Sequence, residues 1–261
     1  MKITILSLFP EILRGFFESS IMAKAAERGI ISYKLVDIRN YATDKHRKCD
    51  DEVFGGGAGM LMLPGPLSHA LADAGAPDKR TVYMTPSGRL LNQALAEELS
   101  GEDELVIICG RYEGIDQRII DSYVSDEVSI GDYVLSSGEI AALVLVDSVY
   151  RLIPGVISGE SLAEESFGTA QGSAHGSLLE YPQYTRPAVY DSMRVPEVLT
   201  SGHHAKIERW RLRERIRKTL AYRPELLAGD VLTDEVRKLL CEILTEGREH
   251  EPHAENPSSA D

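Results

Sequence analysis

Three loops in this chain combine glycine with polar side chains directly after short apolar runs. In an open α/β sheet that is where ligands bind. The loops are Tyr83-Met84-Thr85-Pro86-Ser87-Gly88, Cys109-Gly110-Arg111-Tyr112-Glu113-Gly114-Ile115-Asp116, and the stretch from Ser129 through Gly131, Asp132 and Ser136 to Glu139. One such loop reads equally well as a plain turn, whereas three at successive strand ends point to a shared site. Four more glycines, Gly55, Gly56, Gly57 and Gly59, sit between Phe54 and Met60. They permit backbone angles closed to other residues and let a ligand approach the main chain. The order matches neither the dinucleotide fingerprint nor a P-loop, so by itself this segment is either a mobile loop or a binding loop. Just upstream, Asp44-Lys45-His46-Arg47-Lys48 gathers positive charge on the same stretch, which favours contact with phosphate.

The elements that must position these loops follow from the hydrophobic pattern. Runs rich in β-branched residues predict strands over Lys2 to Leu8, Ile31 to Asp37, Thr81 to Met84, Glu104 to Cys109 and Glu127 to Ser129. Between them, helical periods predict helices over Pro10 to Arg28, Pro66 to Ala74, Asn92 to Leu99 and Glu139 to Leu152. Such alternation predicts an α/β domain with a parallel sheet. Two segments interrupt it, Arg39 to Gly59 and Pro154 to Pro187, and loops of that length are usually functional or disordered. A helical region follows, with Ile207, Trp210, Ile216 and Leu220 on one face of a helix over Ala205 to Ala221 and a shorter helix over Thr233 to Thr245. The tail from Glu246 has little to bury.

Composition narrows the classes. With 261 residues and 43% hydrophobic content the chain can bury a sizeable core. No stretch approaches the apolar length of a membrane span, and Met1 leads straight into a strand pattern, so a cytoplasmic protein without a membrane partner is expected. Cys49, Cys109 and Cys241 are odd in number and far apart, which fits reduced thiols rather than a disulfide framework or a zinc site. A net charge of −13 argues against indiscriminate nucleic-acid binding. Locally, however, Lys206, Arg209, Arg211, Arg213, Arg215, Arg217, Lys218 and Arg223 face only Glu208 and Glu214. This basic island is either a solvated helix face or a nucleic-acid footprint.

Taken together, the three loops, the glycines from Phe54 to Met60, Arg151-Leu152-Ile153-Pro154-Gly155-Val156, Tyr184-Thr185-Arg186-Pro187, and Val195 through Gly202-His203-His204 with Trp210-Arg211 resemble the bacterial tRNA (guanine-N(1))-methyltransferases of the SPOUT class. The resemblance runs in order from Met1 to about Leu227. It departs at three places. Glu165-Ser166-Phe167 stands where the family usually has Asp-Ser-Phe, Ser137 replaces a glycine, and Gly168 to Gly176 lengthens a connector.

The resemblance implies a SPOUT-type parallel sheet with a deep trefoil knot, where the general avoidance of threading would otherwise suggest a plain doubly wound sheet. It implies a knotted donor-binding domain over residues 1–155, a connector over 156–180 and a small all-α tRNA-binding domain over 181–261. The implied reaction is methyl transfer from S-adenosylmethionine to N1 of the guanine 3′ of the anticodon, by a homodimer whose sites use both subunits. Donor contacts are implied at Tyr83, Thr85, Pro86, Gly110, Tyr112, Glu113, Ile130, Gly131, Asp132, Tyr133, Val134, Leu135, Ser137 and Gly138. RNA contacts are implied at His46, Arg47, Gly56, Gly57, Gly59, Ser161, Arg186, His203, Arg211 and Arg215. Guanine N1 carries a proton and charge builds on O6 as it leaves, so the chemistry asks for a carboxylate base and a cation, implied at Glu165 and Arg151. The family is associated with Mg²⁺, yet the sequence has no cluster of metal-ligand spacing, and no tightly held metal is expected. Two other readings stay open: a non-catalytic RNA-binding protein of this fold, and a small-molecule enzyme holding a nucleotide in the glycine loops.

Overall fold

The computed structural model describes residues 1–159, 162, 165–167, 178–228 and 232–249. The chain divides into two compact units, Met1–Gly159 and Glu160–Asp261.

The first unit is built on five parallel strands: β1 (Lys2–Ser7), β2 (Ser32–Asp37), β5 (Arg80–Leu90), β6 (Glu104–Cys109) and β7 (Asp126–Ser129), in the order β2-β1-β6-β5-β7. Side chains alternate across a strand, and here both faces are buried. Ile3, Ile5, Leu105 and Ile107 enter one core with α1 (Glu11–Phe17), α2 (Ser20–Glu27), α4 (Gln93–Ser100) and α6 (Gly138–Tyr150). Leu6, Val106 and Ile108 enter the other with α3 (Pro64–Asp73) and α5 (Gln117–Tyr123). That double burial is why the strands read as near-continuous apolar runs.

Two expectations are corrected. The helix predicted from Pro10 to Arg28 is two helices, because Ser19 is extended and Ser20 takes a φ of 54°, a conformation that ends α1's path and lets Ser19 cap α2 by position. The segment from Arg39 to Gly59 is not a plain loop. It holds a 3₁₀ turn (Ile38–Tyr41) and one strand of an antiparallel ladder, β3 (Asp50–Glu52) against β4 (Met60–Met62), with the glycines at its tip. The strand signal there was masked by the acidic residues of β3.

The second unit contains α7 (Glu197–Thr200), α8 (His204–Tyr222), α9 (Asp234–Glu249) and a short ladder of β8 (Val189–Tyr190) with β9 (Met193–Arg194). Its core joins Leu178, Leu212, Ile216, Val236, Leu239 and Ile243. The last helix continues to Glu249, past the point where the sequence pattern loses its apolar period.

Candidate active site

Beside the middle of β5, where its register with β7 shifts between Met84 and Arg89 so that the expected loop is part of the strand, and beyond the carboxyl ends of β6 and β7, the chain leaves a cleft of about 240 Å³, near the lower end of small-ligand pockets. Its walls come from the three loops singled out in the sequence. Tyr83, Thr85, Pro86, Gly110, Tyr112, Glu113, Ile130, Gly131, Tyr133, Val134, Leu135, Ser137 and Gly138 all line it; Asp132 does not. Sequence reasoning passed over Met84, Arg111, Ser136 and Ala141, which also line it. Arg111 lay inside a loop already flagged, and its position two residues beyond a strand end was the available signal.

Packing explains the glycines. The Gly138 amide donates to the Gly110 carbonyl at 2.8 Å, and Arg111 bridges to Ser137, so the start of α6 lies against the β6 loop. A Cβ on Gly138 would sit 2.7 Å from the Gly110 nitrogen, and one on Gly110 would sit 2.8 Å from the Tyr83 ring. Only bare backbone allows this approach. The result is a cradle with main-chain polar groups on one side and an apolar wall of Ile130, Val134, Leu135 and Ala141 on another. Such a surface suits a flat heterocycle. Burial pushes the Tyr83 phenol's pKa up, against the opposing hydrogen bonds of Thr85 and Ile115, so the ring presents a neutral hydroxyl.

Beside this cradle the β3–β4 ladder presents its glycine tip. Gly56, Gly57 and Gly59 have φ of 81°, 129° and 97°, the left-handed side that glycine alone adopts freely. The Glu113 side chain fills the space beside Gly59, where a Cβ would come within 2.4 Å of its carboxylate, which ties this tip to the cleft wall. His46 and Arg47 are exposed on the preceding turn, which Asp44 closes by accepting from the backbone of His46 and Lys48.

Arg151 follows α6 directly as its C-terminal residue, and the Gly155 carbonyl just beyond accepts from Arg28 at 2.9 Å. Glu165 belongs to the second unit. Its neighbours are anchored: the Ser166 hydroxyl accepts from the Glu180 backbone at 3.0 Å, and the Arg223 guanidinium lies 5.5 Å from the Phe167 ring centroid. Arg186 and His203 are exposed in that unit, while Ser161, Glu164 and the lengthened connector at 168–176 lie outside the described residues.

The basic island is mostly matched within its own unit. Arg209 and Arg213 pair with Glu242, Arg213 and Arg217 with Glu246, Arg217 with Glu214, and Arg211 with Glu208. Arg215 is 5% exposed. Its guanidinium and that of Arg211 stand 5.1 and 4.8 Å from the Tyr181 ring centroid. Among the described residues no cluster of three or more His, Cys, Asp or Glu side chains is arranged to hold a metal ion, and no helix is long and apolar enough to cross a membrane.

Comparison with known proteins places this arrangement. Residues 1–229 match the family described as tRNA (guanine-1)-methyltransferase TrmD. A tRNA (guanine-N(1)-)-methyltransferase of Treponema denticola is 60% identical over 250 residues, covering 94% of this chain and all of the relative. The protein of the same name from Borreliella burgdorferi is 58% identical over 226 residues, 87% of this chain and 92% of its own. That from Treponema pallidum is 56% identical over 247 residues, 93% and 96% of the two chains.

Proposed function

The chain belongs to the tRNA (guanine-1)-methyltransferase family, and from that premise we propose that it transfers a methyl group from S-adenosylmethionine to N1 of the guanine 3′ of the anticodon in tRNA. The observation that carries the reading is the cleft, in which three loops from adjacent strand ends make a bare-backbone cradle with one apolar wall. Its residues fit the donor: backbone amides and carbonyls suit the edges of adenine, and Ile130, Val134, Leu135 and Ala141 suit its faces. When bound, the donor supplies an electrophilic methyl on a sulfonium sulfur.

The protein's part is to bind, orient and move one proton. The Glu165 carboxylate accepts the proton from guanine N1, and the Arg151 guanidinium opposes the negative charge that grows on O6. Glutamate reaches one methylene further than the aspartate usual in the family.

In this reading residues 1–155 form a knotted donor-binding domain. The hydrogen bond from Gly138 to Gly110 supports that, because the chain after β7 returns against the β6 loop before entering α6. Residues 156–180 are the connector and 181–261 a largely helical tRNA-binding domain. The protein acts as a homodimer in the cytoplasm, where tRNA is modified. Exposed Ile140 and Val144 on α6, together with Tyr133, Val134 and Leu135, give it an apolar face for self-association. Any Mg²⁺ arrives with the substrates rather than in a protein cage.

The test is transfer of a labelled methyl from the donor to an unmodified tRNA transcript, with the product nucleoside identified by mass spectrometry. Formation of 1-methylguanosine is expected. Donor and tRNA binding without transfer would turn the reading to a non-catalytic RNA-binding protein, and donor binding without tRNA binding to a small-molecule enzyme.

A further inference from the structure

Several arginines of this acidic chain pair with carboxylates. Arg80 alone meets Glu98, Glu102 and Asp126. Two others share an aromatic ring instead. The guanidinium carbons of Arg39 and Arg111 both lie 4.3 Å from the centroid of one ring, Phe9, at the end of β1. Arg39 also donates to the Leu8 carbonyl, and Asp37 accepts from the Arg39 backbone amide rather than from its guanidinium. Neither guanidinium is matched to a carboxylate among the described residues.

Gathering two cations on one ring has a cost. Each gains from the ring face, but they repel one another, and the site is only partly open to water. An anion that reaches both guanidiniums lowers the repulsion and accepts from several planar N–H donors, which suits a phosphate's tetrahedral oxygens. The surroundings fix its origin. Arg111 lines the cleft, whereas Arg39 stands on the 3₁₀ turn outside it, next to Asn40, whose side chain accepts from Arg47 at 3.3 Å. The positive charge therefore runs from the cleft mouth out to the exposed basic turn, as a track along a polyanion would.

We propose that Phe9, Arg39 and Arg111 form a clamp for one backbone phosphate of the RNA at the mouth of the cleft. This rests on the tRNA reading above. The clamp is positioned from behind, since the Phe9 amide donates to the Ser7 hydroxyl at 2.7 Å and so fixes the ring at the strand end.

The experiment compares the full-length wild type with R39Q, with R39Q/R111Q and with F9L. It measures binding of an unmodified tRNA transcript over a range of NaCl concentrations, and binding of S-adenosylhomocysteine by calorimetry. For R39Q/R111Q, tRNA affinity at low salt should fall by about tenfold or more. The log–log salt slope should drop by about one. R39Q alone, at a residue outside the cleft lining, should weaken tRNA binding and leave S-adenosylhomocysteine binding unchanged. F9L keeps both charges but frees them, so affinity should fall while the slope stays near wild type. Unchanged tRNA binding in R39Q/R111Q overturns the proposal. So does a loss of S-adenosylhomocysteine binding in R39Q that parallels its loss of tRNA, which would assign that guanidinium to the donor or to the fold. A wild-type protein that binds no tRNA at all would instead refute the functional reading on which the clamp rests.

Discussion

The Ser7 hydroxyl donates to Oε1 of Glu139 at 2.5 Å, joining the end of β1 to the first turn of α6 across 132 residues, with both residues fully shielded from solvent. The other carboxylate oxygen, Oε2, has no protein partner among the described residues. Burial, and after it the Glu139 charge, pushes the neighbouring Cys109 thiol's pKa well up, which keeps that thiol protonated and inert. A carboxylate held this way fixes the wall behind the cradle and the strand end that carries Phe9. Glu139→Ala should cost about 2–4 kcal/mol by leaving a cavity and an unmatched Ser7 hydroxyl. Glu139→Gln keeps the acceptor and the volume, and should cost roughly 1 kcal/mol. Urea denaturation of both variants decides the matter; equal losses would mean that the Ser7 bond is not what the side chain supplies.

Gly138→Ala tests the cradle itself. The added methyl would meet backbone atoms of Gly110 and Cys109 at 2.7 and 2.9 Å, so the start of α6 must move away from the β6 loop. Donor affinity should fall by about tenfold or more, an effect of roughly 1.4 kcal/mol. Cys109 belongs to one of the sheet's cores, so a urea midpoint measured alongside separates a local loss from a fold-wide one. Calorimetry with S-adenosylhomocysteine measures the loss, and wild-type affinity would show that the contact does not shape the donor pocket.

Sheet and cleft were largely legible in the sequence because both depend on local pattern. Four of the five strands appear as apolar runs within one or two residues of their true ends, since a parallel sheet buried on both faces leaves no polar alternation to blur them, whereas β5 runs on from the expected end at Met84 to Leu90 through exposed, polar positions. Thirteen of the fourteen implied donor contacts line one cleft, ten of them beyond the ends of β6 and β7 and three, Tyr83, Thr85 and Pro86, within β5. What stayed hidden are pairings between distant segments. Nothing near Phe9 announces Arg39 and Arg111, nor does Glu139 announce Ser7. The ion pairs of the α8 arginines were hidden for a related reason: Glu242 and Glu246 lie on α9, some 30 residues on, as the separation of 33 between Arg209 and Glu242 illustrates.

The turn that carries Arg39 is pinned from the other side by Tyr41, whose hydroxyl donates to Asp73 on α3 at 2.6 Å. That hydrogen bond, assisted by burial and the Asp73 charge, pushes the phenol's pKa from 10.0 up to about 12. The folded value lies above the unfolded one, so the contribution is complete below about pH 10 and is lost as pH rises through about 12. Asp73 is shifted the other way, first by Tyr41 and then by Lys34, so its contribution holds above the ordinary value of 3.8 and fades as pH falls through its lowered one. Wild type should therefore exceed Tyr41→Phe in stability by a constant margin at neutral pH that shrinks on the alkaline side. Melting curves of both proteins from neutral pH to about pH 11 check this; a margin that does not shrink would mean the phenol proton is not involved.

Arg215 separates structure from recognition in the basic helix. Because it is buried beside Tyr181, removing it should destabilise the second unit by roughly 2–4 kcal/mol. Trp210, the single tryptophan of the chain, lies on α8 and reports that unit's unfolding through its fluorescence. Arg215→Ala should lower the melting temperature seen by Trp210. A variant that melts as wild type but binds tRNA weakly would instead make Arg215 a direct RNA contact.

The proposed mechanism assigns the base to Glu165, whose neighbour Ser166 accepts from the Glu180 backbone. Glu165→Gln keeps size and most hydrogen bonds but cannot accept the guanine proton. Turnover should fall by about 10²–10⁴-fold, the usual span for general-base catalysis. Donor and tRNA binding should survive. Arg151→Ala should also lower turnover steeply by leaving the charge on O6 unopposed, and the double variant should lose less than the product of the two defects, since both groups act on one transition state. Glu165→Asp restores the family's usual side chain but withdraws the carboxylate by one methylene. If the backbone has been set to suit glutamate, this variant should be slower than wild type while binding both substrates as well. Single-turnover rates with saturating donor and tRNA separate these effects from binding. Near-normal turnover in Glu165→Gln would move the base elsewhere, with the adjacent Glu164 as the first residue to replace.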